Sequence, residues 1–121
     1  MGDISKHFSR HEFACGCGCG FDVVDAELIT VLEDLREYFI SPIHVNSGAR
    51  CPQHNQRERG GKNSQHKLGK AADVYIHSVS SMDVADYLEY KYPHKYGIGR
   101  YHGRTHIDVR GVRARWDTVR R

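Results

Sequence analysis

The feature that most constrains this chain is one strongly amphipathic helix, predicted over roughly residues 26 to 39. Asp25 is placed to cap its first turn, and Pro42 ends the pattern. Apolar side chains recur three or four residues apart along one face, and they are Leu28, Leu32, Leu35 and Phe39. Such a face must be buried against a second layer, so the rest of the chain has to supply a sheet or further helices.

Alternating and turn-bounded segments supply the strands of that layer. Residues 43–48 and 71–76 each predict one strand. Residues 96–111 predict two strands around a turn at His102 and Gly103. Because each strand is short and joined by a turn or a loop, we expect a small antiparallel sheet.

The remaining segments complete the expected fold. A second helix is predicted to start at Ser80 and to end before Pro93, whereas residues 50–63 are polar and predict a long loop with at most one helical turn. With 121 residues there is room for a single domain. We therefore predict an α+β fold, a single compact domain over residues 1–121 whose helices flank the sheet. The Cys- and Gly-rich residues 1–20 are expected to pack on it.

Charge and hydropathy narrow the range of partners. Eighteen Lys and Arg against 15 acidic residues give a net charge of +3, too little for a dedicated nucleic-acid binder. The arginines near the C-terminus are expected on a solvated end, with Trp116 in the core. No apolar run approaches the ~20 residues of a membrane helix, and the N-terminus lacks the apolar core of a secretory signal. We expect a monomer that is made in the cytoplasm without a signal peptide and binds neither nucleic acid nor membrane.

The segment 63–77, with the sequence NSQHKLGKAADVYIH, contains the first candidate chemistry. It can be a polar turn before a core strand, a nucleophile set built on Ser64, or half of a metal site. A Ser nucleophile is disfavoured because the Gly-flanked elbow that such serines occupy is missing. The metal interpretation gains support from the segment RTHIDVR, where strand alternation places His106 and Asp108 together on the face opposite the core.

Three stretches in the right order resemble the zinc D-Ala-D-Ala carboxypeptidase and endopeptidase family, peptidase family M15, and most closely its small phage- and prophage-associated branch. They are SGARCPQHN, NSQHKLGKAADVYI and GIGRYHGRTHIDVRG. The family pattern Ser-x-His-x-x-Gly-x-Ala-x-Asp is matched by Ser64, His66, Gly69, Ala71 and Asp73, and the later His ligand by His106. The similarity covers roughly residues 8 to 116.

This resemblance implies a hydrolase that cuts an amide bond in the stem peptide or cross-bridge of bacterial peptidoglycan, acting on the cell wall with one catalytic zinc ion. It also implies a fold like that of the hedgehog domains and DD-peptidases. The zinc ligands would be His66, Asp73 and His106, while Arg50 and Ser64 would contact the substrate. The main alternative is a catalytically weak, zinc-containing binding module of the hedgehog-like fold.

The general base is the position where the chain departs from the family. Many members carry an acidic residue three positions before the last His ligand, and here that position is Gly103. Asp108 is the nearest carboxylate on the same strand face, so we nominate it as the base. Two alternatives stay open: Asp108 orients a His ligand instead, or His102 in the preceding turn transfers the proton.

Four cysteines form the last candidate group, and they are Cys15, Cys17, Cys19 and Cys51. A structural zinc ion takes four ligands, so four thiolates would be enough to bind a second, structural zinc ion. The Cys-x-Cys-x-Cys spacing is, however, tighter than the usual Cys-x2-Cys loop. Disulfides, with three possible pairings, and free thiols are the alternatives.

Overall fold

The computed structural model describes residues 2–58, 60–61 and 63–119, which form three helices and a five-stranded sheet. The helices are α1 (Ala26–Phe39), α2 (Pro52–Arg57) and α3 (Ser81–Lys91). The strands are β1 (His44–Ser47), β2 (Ala71–Tyr75), β3 (Gly97–Tyr101), β4 (Arg104–Asp108) and β5 (Ala114–Asp117). Short 3-10 turns occur at Arg10–Phe13 and Gln65–Leu68. The expected α+β domain is confirmed. None of the helices in the described part of the chain has the length and apolar character needed to cross a bilayer.

Helix boundaries follow the predicted caps. The Asp25 carboxylate accepts the amide of Glu27 at 2.8 Å, and the Ser80 hydroxyl accepts the amide of Met82 at 3.1 Å. The apolar face of α1 is buried through Leu28, Val31, Leu32 and Leu35. It shares one core with side chains of the sheet and of α3, among them Val74, Val84, Leu88 and Ile107.

The sheet is mixed rather than purely antiparallel, which corrects the sequence-based expectation. Its strand order is β1-β2-β4-β3-β5, with antiparallel pairing up to β3 and parallel pairing between β3 and β5. The segment that forms β5 was expected to be a solvated end. It is instead held at the edge because Arg115 donates to the carbonyl oxygens of Tyr92 and Tyr96 and pairs with Glu89.

The N-terminal segment has little regular structure but is firmly packed. Phe8 and Phe13 are each 1% exposed and belong to the core. The carboxylate of Glu33 on α1 accepts three hydrogen bonds from this segment, from the hydroxyl of Ser5, the amide of His7 at 2.8 Å and Nδ1 of His7 at 2.6 Å. The segment is thereby fixed against α1 on its way to the sheet.

Replacing Glu33 with Gln tests this anchor. Burial opposes ionisation, but the hydrogen bonds from Ser5 and His7 outweigh it and hold the pKa of Glu33 below its usual value. A lowered pKa means that the stabilisation is present above the unfolded-state pKa and is lost as the pH falls through the folded-state pKa. We expect Glu33→Gln to lower the free energy of unfolding by about 1–2 kcal/mol at neutral pH.

Urea denaturation of both proteins at neutral pH and at a pH where Glu33 is protonated measures that difference. The gap between wild type and variant should shrink in acid. Glu37→Gln, at an exposed position of the same helix, is the control and should change little. A gap that is equally large at both pH values would contradict the assignment.

Candidate metal centre

The candidate centre lies on the sheet face that points away from α1 and α3. Asp73 on β2 and His106 on β4 are directly paired neighbours across the two strands, so both side chains leave the sheet on the same face. His66 reaches them from the 3-10 turn that precedes β2. Gly69 ends this turn with φ +68°, and a Cβ at this position would overlap the carbonyl group of Val23. Only glycine satisfies both conditions, so Gly69 sets the approach of His66.

Three ligand atoms converge at this point. The donor atoms of His66, Asp73 and His106 all lie within 4.8 Å of one another, and all three residues are buried. Oδ1 of Asp73 is 3.4 Å from Nε2 of His66 and 3.0 Å from Nδ1 of His106. The three residues expected as ligands are therefore brought together by the fold.

In each imidazole, the nitrogen that points away from Asp73 faces a hydrogen-bond acceptor, and this acceptor fixes the tautomer. Nδ1 of His66 lies 2.7 Å from the carbonyl oxygen of Gly48, which can only accept, so this nitrogen carries the hydrogen. Nε2 of His106 lies 2.7 Å from Oδ2 of Asp108 and donates to that carboxylate. Each ring therefore turns its lone pair toward Asp73. Imidazoles that ligate metals are held in this way, by an acceptor at the other nitrogen.

Charge in the centre agrees with a cation site. Burial alone would raise the pKa of Asp73, but protons on the facing nitrogens of His106 and His66, in place of a metal ion, donate hydrogen bonds and add positive charge that outweigh burial and hold this pKa well below its usual range. The carboxylate is thus ionised and faces two nitrogen lone pairs, an arrangement that needs a proton or a metal ion between them. Two His and one carboxylate, with a face open to a cavity, form the ligand set of catalytic zinc sites, so the residues fit zinc.

Asp108 is enclosed rather than exposed to the cavity. Its side chain is 0% exposed, with Oδ1 2.8 Å from Nε of Arg110 and Oδ2 2.7 Å from both Nη2 of Arg110 and Nε2 of His106. Burial raises the pKa of Asp108, but the hydrogen bonds from Arg110 and His106 outweigh it, so the pKa falls well below the usual range. A carboxylate engaged at both oxygens and shielded from water is a poor proton acceptor. The geometry favours the alternative role, in which Asp108 orients His106.

A cavity of about 620 Å³ opens above the centre. Arg50 and Ser64 line it together with the three candidate ligands, as expected for residues that contact substrate. The Arg50 guanidinium lies 3.3 Å from Oδ2 of Asp73, and the Ser64 hydroxyl accepts the amide of His66 at 3.3 Å. His102 is exposed in the β3–β4 turn and is not among the residues that line the cavity.

Four residues of the cavity wall were not predicted from the sequence to belong to the site, and they are Tyr101, Arg104, Arg110 and Trp116. Arg104 could have been found, since it lies two residues before His106 on the same strand face. The guanidinium carbon of Arg104 stacks 4.3 Å from the ring centre of Tyr101. These side chains make their part of the wall aromatic and positively charged, and Glu58 adds one carboxylate to the same cavity.

Trp116 lines the cavity, whereas the sequence predicted it in the core, so that prediction is wrong. Its indole is half-buried, donates from Nε1 to the Tyr101 hydroxyl at 2.8 Å, and lies 4.8 Å from the His106 ring between centroids. Trp116 pairs with Gly99 across β3 and β5, and a Cβ on Gly99 would overlap the indole. A glycine inside a strand often marks such a close approach, so Gly99 was the available signal.

Comparison with known proteins gives one positive finding. A family model described as Peptidase M15 matches residues 6–108, a range that includes every candidate ligand and substrate-contacting residue. No curated protein matches the chain.

Proposed function

The chain belongs to the Peptidase M15 family, and from this membership we propose that it is a zinc-dependent peptidase that hydrolyses an amide bond in the stem peptide or cross-bridge of bacterial peptidoglycan. The observation that carries the proposal is the pair of buried imidazoles whose lone pairs converge on the ionised Asp73 at the base of the cavity. The substrate is inferred from the resemblance to cell-wall peptidases, and the cavity chemistry supports it.

His66, Asp73 and His106 would hold the zinc ion. A zinc ion in such a site lowers the pKa of bound water from ~15.7 to ~7 and polarises the scissile carbonyl group. The protein keeps the ligand geometry rigid, since Gly48 and Asp108 restrain the two imidazoles. Asp108 is itself fixed by Arg110, so His106 is held by a chain of two charged contacts.

Three arginines give the cavity its preference for an anionic peptide. Arg50 and Arg110 already face Asp73 and Asp108, respectively. Arg104, by contrast, stacks on Tyr101 and takes part in none of the ion pairs among the described residues. A guanidinium that is not already paired with a protein carboxylate is well suited to bind a peptide carboxylate through charge-assisted hydrogen bonds. Stem peptides carry such carboxylates at their free C-termini and on their acidic residues.

One observation favours the alternative of a weak or inactive binding module. The position where many family members carry an acidic residue is Gly103, exposed in the β3–β4 turn with φ +77°. A hedgehog-like module would retain the zinc ion and the cavity and bind the wall peptide without cutting it.

Purified peptidoglycan separates the two functions. Zinc-loaded protein incubated with sacculi should release new amino groups with time, and a chelator should stop the release until zinc is restored. Co-sedimentation with the sacculi without any new amino groups would reject the peptidase and support the binding module. Absence of both release and binding would reject peptidoglycan as the substrate.

Arg104→Gln tests the proposed contact with the substrate carboxylate. Because a hydrogen bond to a charged group is worth ~1.5–3 kcal/mol, we expect KM to rise by about tenfold or more, with kcat and zinc content nearly unchanged. Steady-state kinetics on a soluble muropeptide provide the measurement. Arg113→Gln is the matched control, since Arg113 is exposed and pairs with Glu89 away from this cavity. An unchanged KM in Arg104→Gln would remove Arg104 from the substrate site.

A further inference from the structure

The four cysteines come together although one is far from the others in sequence. Cys15, Cys17 and Cys19 lie in the N-terminal segment, and Cys51 lies just before α2. All four sulfur atoms are within 4.8 Å of one another. Cys15 and Cys17 are 3.4 Å apart, Cys15 and Cys51 3.8 Å, and Cys17 and Cys51 3.7 Å. This cluster is separate from the His–Asp–His centre and shares no residue with it.

These spacings match one kind of chemistry. A disulfide requires a sulfur–sulfur distance of about 2.05 Å, and none of the four cysteines forms one. Four thiolates at about 2.3 Å from a central zinc ion, in tetrahedral geometry, lie about 3.8 Å from one another. The three sulfur–sulfur separations among Cys15, Cys17 and Cys51 are close to the edges of a zinc tetrathiolate, and Sγ of Cys19 lies within 4.8 Å of all three.

The local backbone conformation explains how cysteines only two residues apart in sequence can all bind one ion. In an extended strand, side chains two residues apart share a face but lie about 6.6–6.8 Å apart, so three of them could not meet. Here Gly18 has φ +82° and Gly20 has φ +91°, and the amide of Gly18 bonds back to the carbonyl oxygen of Cys15 at 3.1 Å. The chain thus curls around the sulfur atoms, and Gly18 between Cys17 and Cys19 and Gly20 directly after Cys19 permit it.

Backbone amides also point at the sulfur atoms, as they do around thiolate ligands. The amide of Cys51 lies 3.4 Å from Sγ of Cys15, and the amide of His54 lies 3.4 Å from Sγ of Cys51. N–H donors of this kind stabilise thiolates and orient them toward a metal ion.

We propose that Cys15, Cys17, Cys19 and Cys51 bind one structural zinc ion. Closed four-sulfur sites of this kind contribute folding energy and leave no position for substrate. The ion joins the N-terminal segment to the residue that follows Arg50. Gly16, between two of the ligands, and Arg50 also line a neighbouring hollow of about 430 Å³. The zinc ion therefore fixes the segment that forms one wall beside the substrate cavity.

Metal analysis of the wild-type protein, purified under reducing conditions, is the first test. Two zinc ions per chain are expected from the two clusters. His66→Ala should retain one. X-ray absorption at the zinc edge of that variant should show sulfur neighbours at ~2.3 Å and no nitrogen or oxygen shell at ~2.0–2.1 Å. Cobalt-substituted wild type should show a thiolate-to-cobalt charge-transfer band, which the His–Asp–His centre cannot produce.

A cysteine variant supplies the reciprocal test. Cys17 is exposed, so Cys17→Ser removes a ligand without opening the core. We expect it to lose about one zinc ion and the charge-transfer band, keep the zinc of the other centre, and lower Tm by about 5 °C or more. A zinc-free His66→Ala protein, iron in the four-sulfur site, a disulfide by intact mass, or four rapidly titrating thiols in the metal-loaded native protein would each overturn the proposal. None of these outcomes bears on the peptidase activity, which the wall assay tests separately.

Discussion

His66→Ala and His106→Ala are each expected to lose one zinc ion per chain and to reduce hydrolysis by more than ~10³-fold. The size of the effect follows from the chemistry that the ion supplies, because water without zinc keeps its pKa near ~15.7 and is a weak nucleophile at neutral pH. Each variant leaves two of the three ligands in place, too few for a stable catalytic site.

Metal content by mass spectrometry and amino-group release are measured on the same preparations. His94→Ala, an exposed histidine in the turn after α3, is the matched control and should keep both the metal and the activity. Full zinc content in both ligand variants would remove these residues from the metal site. Loss of zinc with unchanged hydrolysis would show that the reaction does not depend on this centre.

Asp108→Asn is the second change with a large expected effect. The Asn side chain keeps the shape but offers a weaker, neutral acceptor to Nε2 of His106 and to Arg110. Because Asp108 is proposed to orient His106, we expect zinc affinity to fall about 10–100-fold, with activity recovered at high zinc concentration. Competition with a calibrated chelator and kinetics over a zinc titration provide the measurement.

A base role for Asp108 predicts a different result. Zinc affinity would stay the same, and kcat would fall ~10²–10⁴-fold at every zinc concentration. Asp83→Asn, at an exposed position in the first turn of α3, controls for loss of a carboxylate elsewhere. Unchanged zinc affinity together with unchanged kcat would deny Asp108 both roles and make His102→Gln the next variant.

Much of the scaffold could be predicted because its signals are local. The apolar period of α1, the caps at Asp25 and Ser80, and the turn between β3 and β4 each lie within a few residues of sequence. The strand alternation that separates His106 from Ile107 is local as well, and the structure confirms it, since Ile107 lies in the core.

The features that sequence did not predict depend on contacts between distant segments. The four residues of β5 carry no strand pattern, and their parallel pairing depends on Arg115 reaching the end of α3 and the residues before β3. Trp116, the third residue of β5, reaches the cavity through this pairing. The enclosure of Asp108 depends on Arg110 folding back onto it and on Gly97 opposite, where a Cβ would overlap the carboxylate.

Zinc held by His66, Asp73 and His106 is proposed to support cleavage of a wall peptide. Mass spectrometry of a defined muropeptide, incubated with zinc-loaded wild type and with His66→Ala, tests it most directly. For the wild type we expect a mass gain of one water divided between two product peptides, or loss of a single terminal D-Ala, and for His66→Ala we expect intact substrate. An intact muropeptide with the fully zinc-loaded wild type, or equal cleavage by both proteins, would contradict the account.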